Sequence, residues 1–490
     1  MKKTTKSIII AVAVVVVLVG ILLLVKFLPS NSDNDTVATL DSVDEISLLS
    51  HIPAEIKQIE VSNEYGEFTL LSETPTVTST ASDGTTSEAT QATVYTLVNY
   101  EDMELLTGTP DALASNAASM TATKKVDDGS KKSDFGFDNP RATVKVTYTS
   151  GEVKTIYLGN DAASSLGAYV MIDGDKNVYL VPSDSVTGFT QGAMDMLSTE
   201  IGSAASTEED AVFSKMVFGG RLFGEDVVIE NLDSPAYSES YLITSPDNTV
   251  ANEENVSYMV NTVRNLSADK VLEVNADDET LKEYGLDDPY VTVDAEYPDI
   301  KVSYAASEPD ADGNIYLSTN GLVYQISAAS VPWVTYTYED MLPASVLSPK
   351  FSAIDKIVIE TTDDKYEFDI SRKETTTTVN DTDVETTETT VKCGDTTIDE
   401  GTFNVFYQNL TSAKRAGSGE IPTDKKALLK VTYTFSDGTT ASAAYYEAEN
   451  RKCPVLVNDT LSGTTYESYV TAIISDVAKI AAGEAVSSIV

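Results

Sequence analysis

The sequence predicts an α+β fold: three tandem antiparallel-sheet domains with helices packed on one face, preceded by one transmembrane helix. Three observations predict it. The chain begins with lysines and an unbroken apolar run, Ile8 to Val25. An apolar triplet recurs three times, as Ile56-x-x-Ile59-x-Val61, Phe213-x-x-Met216-x-Phe218 and Ile354-x-x-Ile357-x-Ile359. A helix end running into a strand recurs as Met120-Thr121-Ala122-Thr123-Lys124, Leu266-Ser267-Ala268-Asp269-Lys270 and Leu410-Thr411-Ser412-Ala413-Lys414, at offsets of 146 and 144 residues. That spacing exceeds a solenoid unit and marks a whole domain copied twice over.

Lys2, Lys3 and Lys6 precede the apolar run, whose 18 residues reach the lower limit for crossing a bilayer. Lys26 can snorkel, which extends the span to Leu28. Basic residues on the N-terminal side predict a cytoplasmic N-terminus and an ectodomain outside the cell membrane. A cleaved signal peptide is the rival reading, but Lys26-Phe27-Leu28-Pro29-Ser30 offers no small-x-small site. Residues 1–29 are therefore read as cytoplasmic tail and anchor, and the polar, acidic 30–50 as a linker. The first 30 residues hold four lysines and no acid. The remainder carries 29 basic residues against 77 acids, a formal net charge of −48. Such a surface repels nucleic acid.

Three units follow, at 51–200, 208–346 and 351–486. Each opens with the apolar triplet and a hairpin, as Ile354–Glu360 turning into Tyr366–Ile370. A helix comes next: Asn255–Leu266 places Val256, Met259, Val260 and Val263 on one face, with Asn404–Leu410 as its counterpart. The second half is strands. Val144–Thr149 alternates as a half-buried strand should, and Lys430–Thr434 repeats its words at an offset of 285. Turns fall at Ser150-Gly151, Asp173-Gly174-Asp175, Asn320-Gly321 and Ser436-Asp437-Gly438. The segment Val178 to Leu197 aligns without gaps on Val323 to Leu342, so Trp333 falls opposite Gly188. Tyr466–Ala482 closes the third unit as an amphipathic helix.

Two inserts, Ser72–Thr93 and Arg372–Thr390, fall after the first hairpin of their units. They are rich in Thr, Ser and acids and cannot form a core. They read as mobile, or as extended ribbons hanging from one edge of the fold. The two cysteines, Cys393 and Cys453, lie in the third unit. An exported pair can be bridged, which adds about 4 kcal/mol in the chain-entropy model. Two free buried thiols are the alternative.

The sharpest repeated motif is Asp134-Phe135-Gly136-Phe137-Asp138-Asn139-Pro140 against Glu283-Tyr284-Gly285-Leu286-Asp287-Asp288-Pro289. Asp278–Tyr284 makes a short helix that Gly285 ends in the left-handed conformation, with Leu286 packing back. Asp287 starts a turn, and Pro289 opens the next strand where no ladder donor is needed. A structural corner accounts for all six of Gly136, Asp138, Pro140, Gly285, Asp287 and Pro289.

This corner, the turn Ile156-Tyr157-Leu158-Gly159-Asn160, and the strings Gly167-Ala168-Tyr169-Val170 and Val178-Tyr179-Leu180-Val181 resemble the bacterial DUF4340 family. The resemblance covers the first two units. The third keeps Lys430-Val431-Thr432-Tyr433 but has Asp424-Lys425 where Asn-Pro would fall, and is a degenerate copy. The resemblance implies a membrane-anchored envelope protein that partners an ABC-type transport system. It supplies no reaction, no cofactor and no catalytic residue.

The residues themselves point away from catalysis. The lone His51 sits beside the linker with no nucleophile in sequence reach, and there is no nucleophile elbow or phosphate loop. One histidine and two cysteines make no zinc or haem set. Asp310-Ala311-Asp312-Gly313-Asn314 resembles a calcium loop but lacks the downstream glutamate. The many strand tyrosines, Tyr148, Tyr157, Tyr169, Tyr179, Tyr304, Tyr316 and Tyr324, are cross-strand packing partners or an aromatic platform for sugars. The expectation is a non-enzymatic single-pass envelope protein without cofactor or metal, whose repeats bind or scaffold a protein partner. A glycan- or peptide-binding module is the second reading. A glycoside hydrolase using paired carboxylates is the third.

Overall fold

The computed structural model describes residues 45–489 other than 81–85, 127–130, 164–166, 380–381 and 421–424. The described chain is mostly β: antiparallel sheets of eight, nine and eight strands and two two-stranded ribbons, with few helices. This corrects the α+β expectation. Each sheet takes its strands from both halves of a repeat, with one main helix between the halves, so the helices form no layer equal to the sheets. No helix among the described residues is long and apolar enough to cross a membrane. The expected preceding transmembrane helix is therefore not seen, and the run Ile8 to Val25 on which it was read lies outside the described residues.

The first repeat is entered by β1 (Ile46–Ser50), within the stretch read as linker. Then come β2 (Ile56–Asn63), β3 (Gly66–Glu73), the ribbon β4 (Thr76–Thr80) and β5 (Thr86–Thr90), and β6 (Val94–Leu97). Helix α1 (Thr109–Ala118) leads to β7 (Ser119–Ala122) and β8 (Lys124–Lys125), and β9 (Ala142–Tyr148), β10 (Val153–Asp161), β11 (Ala168–Ile172) and β12 (Tyr179–Val181) finish the unit. The sheet order is β6-β3-β2-β9-β10-β11-β12-β8. The opening triplet lies on the central strand β2, so Ile56, Ile59 and Val61 are buried.

The second repeat follows the same path. It has β13 (Lys215–Gly219), β14 (Val227–Asn231), β15 (Tyr241–Ser245), β16 (Thr249–Val250), helix α2 (Glu253–Arg264) and β17 (Lys270–Val274). Short α3 (Asp278–Glu283) precedes β18 (Val291–Glu296), β19 (Lys301–Ala306), β20 (Asn314–Thr319), β21 (Leu322–Ser327) and short α4 (Tyr338–Met341). The order is β16-β15-β14-β13-β18-β19-β20-β21-β17. The third has β22 (Ile354–Thr361), β23 (Lys365–Val379), β24 (Thr382–Cys393), β25 (Thr396–Ile398), helix α5 (Glu400–Leu410), β26 (Leu429–Phe435), β27 (Thr440–Tyr445), β28 (Lys452–Val457), β29 (Thr460–Tyr466) and helix α6 (Glu467–Ala481). Its order is β25-β24-β23-β22-β26-β27-β28-β29. In all three, the first strand of the opening meander pairs with the first strand of the closing meander. The two inserts are hairpin ribbons: β4 with β5, and the outer part of β23 with β24, paired from Phe368↔Cys393 out to Val379↔Thr382.

Local chemistry sets the helices. Asn252 caps α2 through its side chain on the Asn255 N–H at 3.2 Å, and Asp399 caps α5 on the Thr402 N–H at 2.9 Å. At the other end a buried tyrosine from the closing meander satisfies a last-turn carbonyl. The Tyr148 hydroxyl donates to Ala117 O at 3.1 Å and Tyr304 to Val263 O at 3.0 Å. In the third unit Tyr469, from α6, donates to Leu410 O at 2.6 Å. The first two sheets share one continuous apolar core. The third has its own, to which the second contributes Ala236 and Val346.

Candidate functional site: the joints between repeats

The repeated helix-end string has a structural job. In each unit the segment entering from upstream lies antiparallel against it. In the first, β1 pairs with β7 in register Ile46↔Ala122 to Ser50↔Ser119. In the second, Ala268 N–H donates to Thr199 O and Ile201 N–H to Leu266 O, both at 2.8 Å, around the bridge Glu200↔Ser267. In the third, Val346 N–H donates to Ala413 O at 2.8 Å and Arg415 N–H to Ala344 O at 2.9 Å, around Ser345↔Lys414. The end of one repeat therefore lies as a bridged, extended segment along the next.

An arginine sits at each of the two inter-repeat seams. Arg264 ends α2 one turn after Val260, on its buried face, and is 4% exposed. Its guanidinium donates to Ser203 O at 3.0 Å, to Asp210 O at 2.7 Å, and to both Asp299 oxygens at 2.7 and 2.6 Å. It also lies over the Tyr297 ring, 4.9 Å from the centroid. The Arg264 hydrogen bonds hold the Asp299 carboxyl below its usual range, and Asp299 raises the guanidinium in return.

Arg415 stands differently. It donates to Ser462 O, to Ser462 Oγ at 2.6 Å and to Thr249 Oγ1 at 3.4 Å, all neutral acceptors. Its Nε is buried with no hydrogen-bond partner. No carboxylate among the described residues forms an ion pair with it, whereas Arg141, Arg221, Arg264 and Arg372 each have one. Burial pushes its pKa down against the pull of Asp247 and Tyr338. The nearby Asp247, on the loop between β15 and β16, accepts the Tyr338 hydroxyl at 2.6 Å. Burial, then the Asp247 contact, pushes the Tyr338 phenol well up, so it stays a donor across the physiological range. These groups line a cleft of ≈ 420 Å³ between the second and third repeats, with Leu342, Pro343, Ala344 and Leu461. One wall needs glycine: a Cβ on Gly463 (φ +89) would meet Gly417 O at 2.6 Å, so only bare backbones close that side.

The corner residues lie away from the cleft. Gly136 (φ 88) ends a 3₁₀ turn and Gly285 (φ 69) ends α3; Phe137 and Leu286 each reach back through the N–H to Lys132 O and Leu281 O. Asp138 and Asp287 are exposed, and Pro140 and Pro289 are half-buried. The rings pair alike: Phe135 with Tyr169 at 4.6 Å and Tyr284 with Tyr316 at 4.9 Å. Cys393 and Cys453 are both free. They end β24 and begin β28, five strand steps apart in one sheet, roughly 24 Å at about 4.8 Å per step. A bridge needs Cα atoms within about 7 Å, so the bridging alternative is replaced by two free thiols.

Among the described residues, no group of three or more His, Cys, Asp or Glu side chains could hold a metal. Asp310 Oδ1 accepts its own loop's Asp312 and Asn314 N–H groups at 2.9 and 2.8 Å. His51 stacks on Tyr148, centroids 3.8 Å apart, and pairs with Glu55 at 2.8 Å. Tyr148, Tyr179, Tyr304 and Tyr324 are buried, so they form no open ring platform.

Sequence reasoning did not single out Arg264, Arg415, Asp247, Tyr338 or Asp299. One signal existed: Arg264 continues the apolar stripe of its helix, an unusual place for a charge unless it is paired.

The architecture defines a tandem-repeat, mostly β protein whose copies dock through bridged extended segments. The chain matches the family Domain of unknown function (DUF4340) over residues 96–208 and 242–430, more than half of its length, and it belongs to that family. The second stretch takes in Asp247, Tyr338 and Arg415. Comparison with curated proteins gives no match.

Proposed function

We propose that this chain is a non-enzymatic envelope protein whose repeats hold a protein partner, with subunits of an ABC-type transport system as the first candidates. One observation supports it above others: each sheet buries one face and leaves the other open. In β9 the buried Ala142, Val144, Val146 and Tyr148 alternate with Thr143, Lys145 and Thr147. In β18 Val291, Val293 and Ala295 alternate with Thr292, Asp294 and Glu296. In β26 Leu429, Val431, Tyr433 and Phe435 alternate with Lys430, Thr432 and Thr434. Three polar faces on one continuous chain suit an extended contact surface better than an enclosed reaction site. The partner class rests on the family resemblance.

A location outside the cytoplasm at the cell membrane belongs to the same proposal. Its support is sequence alone: the lysines, the apolar run Ile8 to Val25, and the acidity of everything after it.

Photo-crosslinkers at Thr147, Thr292 and Thr432 in native membranes test the reading. The expected result is one partner protein captured from at least two positions. Capture of nothing at all three positions overturns it. Recovery of a partner free of transporter subunits removes the ABC assignment.

A further inference from the structure

We propose that the cleft between the second and third repeats binds a carboxylate carried on a small apolar body, anchored by Arg415. A free organic acid and the C-terminal residue of a peptide share this chemistry. The inference stands apart from the scaffold reading, since the cleft is built whether or not a partner covers the open faces.

The first argument is the state of the guanidinium. Arginine has five N–H donors and cannot shed its proton. Here the acceptors are one carbonyl and two hydroxyls, and the buried Nε has none. In a chain of formal net charge −44, with 77 acids, no ion-pairing carboxylate reaches it among the described residues. A half-buried cation that feels Asp247 but forms no ion pair, with Nε unpartnered, is costly unless something else supplies a direct counter-charge.

The second argument is what keeps the site open. Asp247 is the acid best placed to neutralise Arg415, and the Tyr338 hydroxyl holds its Oδ2 at 2.6 Å. The third is selectivity. Asp247 and Glu339 also line the cleft, so a dianion such as phosphate is repelled while a single carboxylate is tolerated. Leu342, Pro343 and Leu461 offer an apolar wall, and ≈ 420 Å³ lies in the range of small-ligand sites.

Calorimetric titration of the full-length chain decides it. The probes are N-acetyl-leucine, N-acetyl-leucinamide, and N-acetyl-Gly-Gly-Leu with a free or an amidated C-terminus. The acids are expected to bind at least tenfold tighter than their amides. Arg415→Gln is expected to erase that difference and leave the amides unchanged. Tyr338→Phe frees Asp247 to pair with Arg415 and is expected to weaken the acids several-fold. Equal affinity of the two acids assigns the site to free acids, and tighter binding of the peptide assigns it to C-termini. Equal binding of acid and amide, no binding of either acid at millimolar concentration, or full acid affinity in Arg415→Gln overturns the proposal. If Arg415→Gln does not fold, the acid–amide contrast and Tyr338→Phe decide.

Discussion

At the first seam Arg264 meets two carbonyls, a bidentate carboxylate and an aromatic face; at the second, Arg415 meets two hydroxyls and a carbonyl, with Nε left bare. Both stand where one repeat's tail lies along the next repeat's post-helix segment. The backbone joint is therefore generic, and the side chains on it differ in purpose. The cores differ in step: the first two repeats share a continuous core, whereas the third has its own. A fully satisfied arginine belongs to the seam whose two repeats share one core. The under-satisfied one belongs to the seam that keeps a cleft.

The largest expected effect that can break this contrast is Arg264→Ala. It strands Asp299 and two carbonyls, and about 2–3 kcal/mol of stability is lost in urea denaturation of the full chain. Arg415→Met removes the unpartnered Nε together with hydrogen bonds to three neutral acceptors and strands no ion-paired carboxylate, so its loss is expected to be smaller than that of Arg264→Ala. Equal losses for the two variants would erase the distinction between the seams.

A pH series sharpens it further. Asp299's folded pKa is depressed, so its contribution is fully present above the unfolded value of about 3.9. It is lost as pH falls from there through the folded value. Asp299→Asn is expected to flatten the acid limb of stability over that window. The smallest effect is away from both seams. On the open face of the third sheet Lys356 and Lys365 pull Glu367 down to about 2. NMR titration is expected to show that low value, with Glu367→Gln leaving the urea midpoint within error, because exposed ion pairs contribute little.

Much of the repeat plan was legible. The triplets fall on the interior strands β2 and β22 and, apart from Phe213 just before it, on β13, because a strand packed on one face must alternate. The helix expected at Asn255–Leu266 spans Glu253–Arg264, and Asn404–Leu410 belongs to Glu400–Leu410. In the first unit only the helix end was read, at Met120–Lys124, and the span of α1 was not, because its buried residues are mostly small, Leu113 with Ala114, Ala117 and Ala118, and do not stand out as an apolar stripe. That small face lets it press on Gly188, where a Cβ would lie 3.2 Å from Leu113 Cα. The aligned position in the second repeat holds the buried Trp333.

The sequence by itself determined which residues recur, where strands alternate, where glycines end helices, and how acidic the chain is. Those are local or compositional properties, set by backbone sterics and side-chain polarity over a few neighbours. Only the tertiary structure decided that the recurring helix-end string is a docking strand, that the cysteines sit five strands apart, and that β rather than α+β describes the fold. It alone brought Asp247, Tyr338 and Arg415 to one cleft. Those outcomes depend on pairings between residues tens to more than a hundred positions apart, and no local pattern encodes which distant carboxylate a guanidinium will meet.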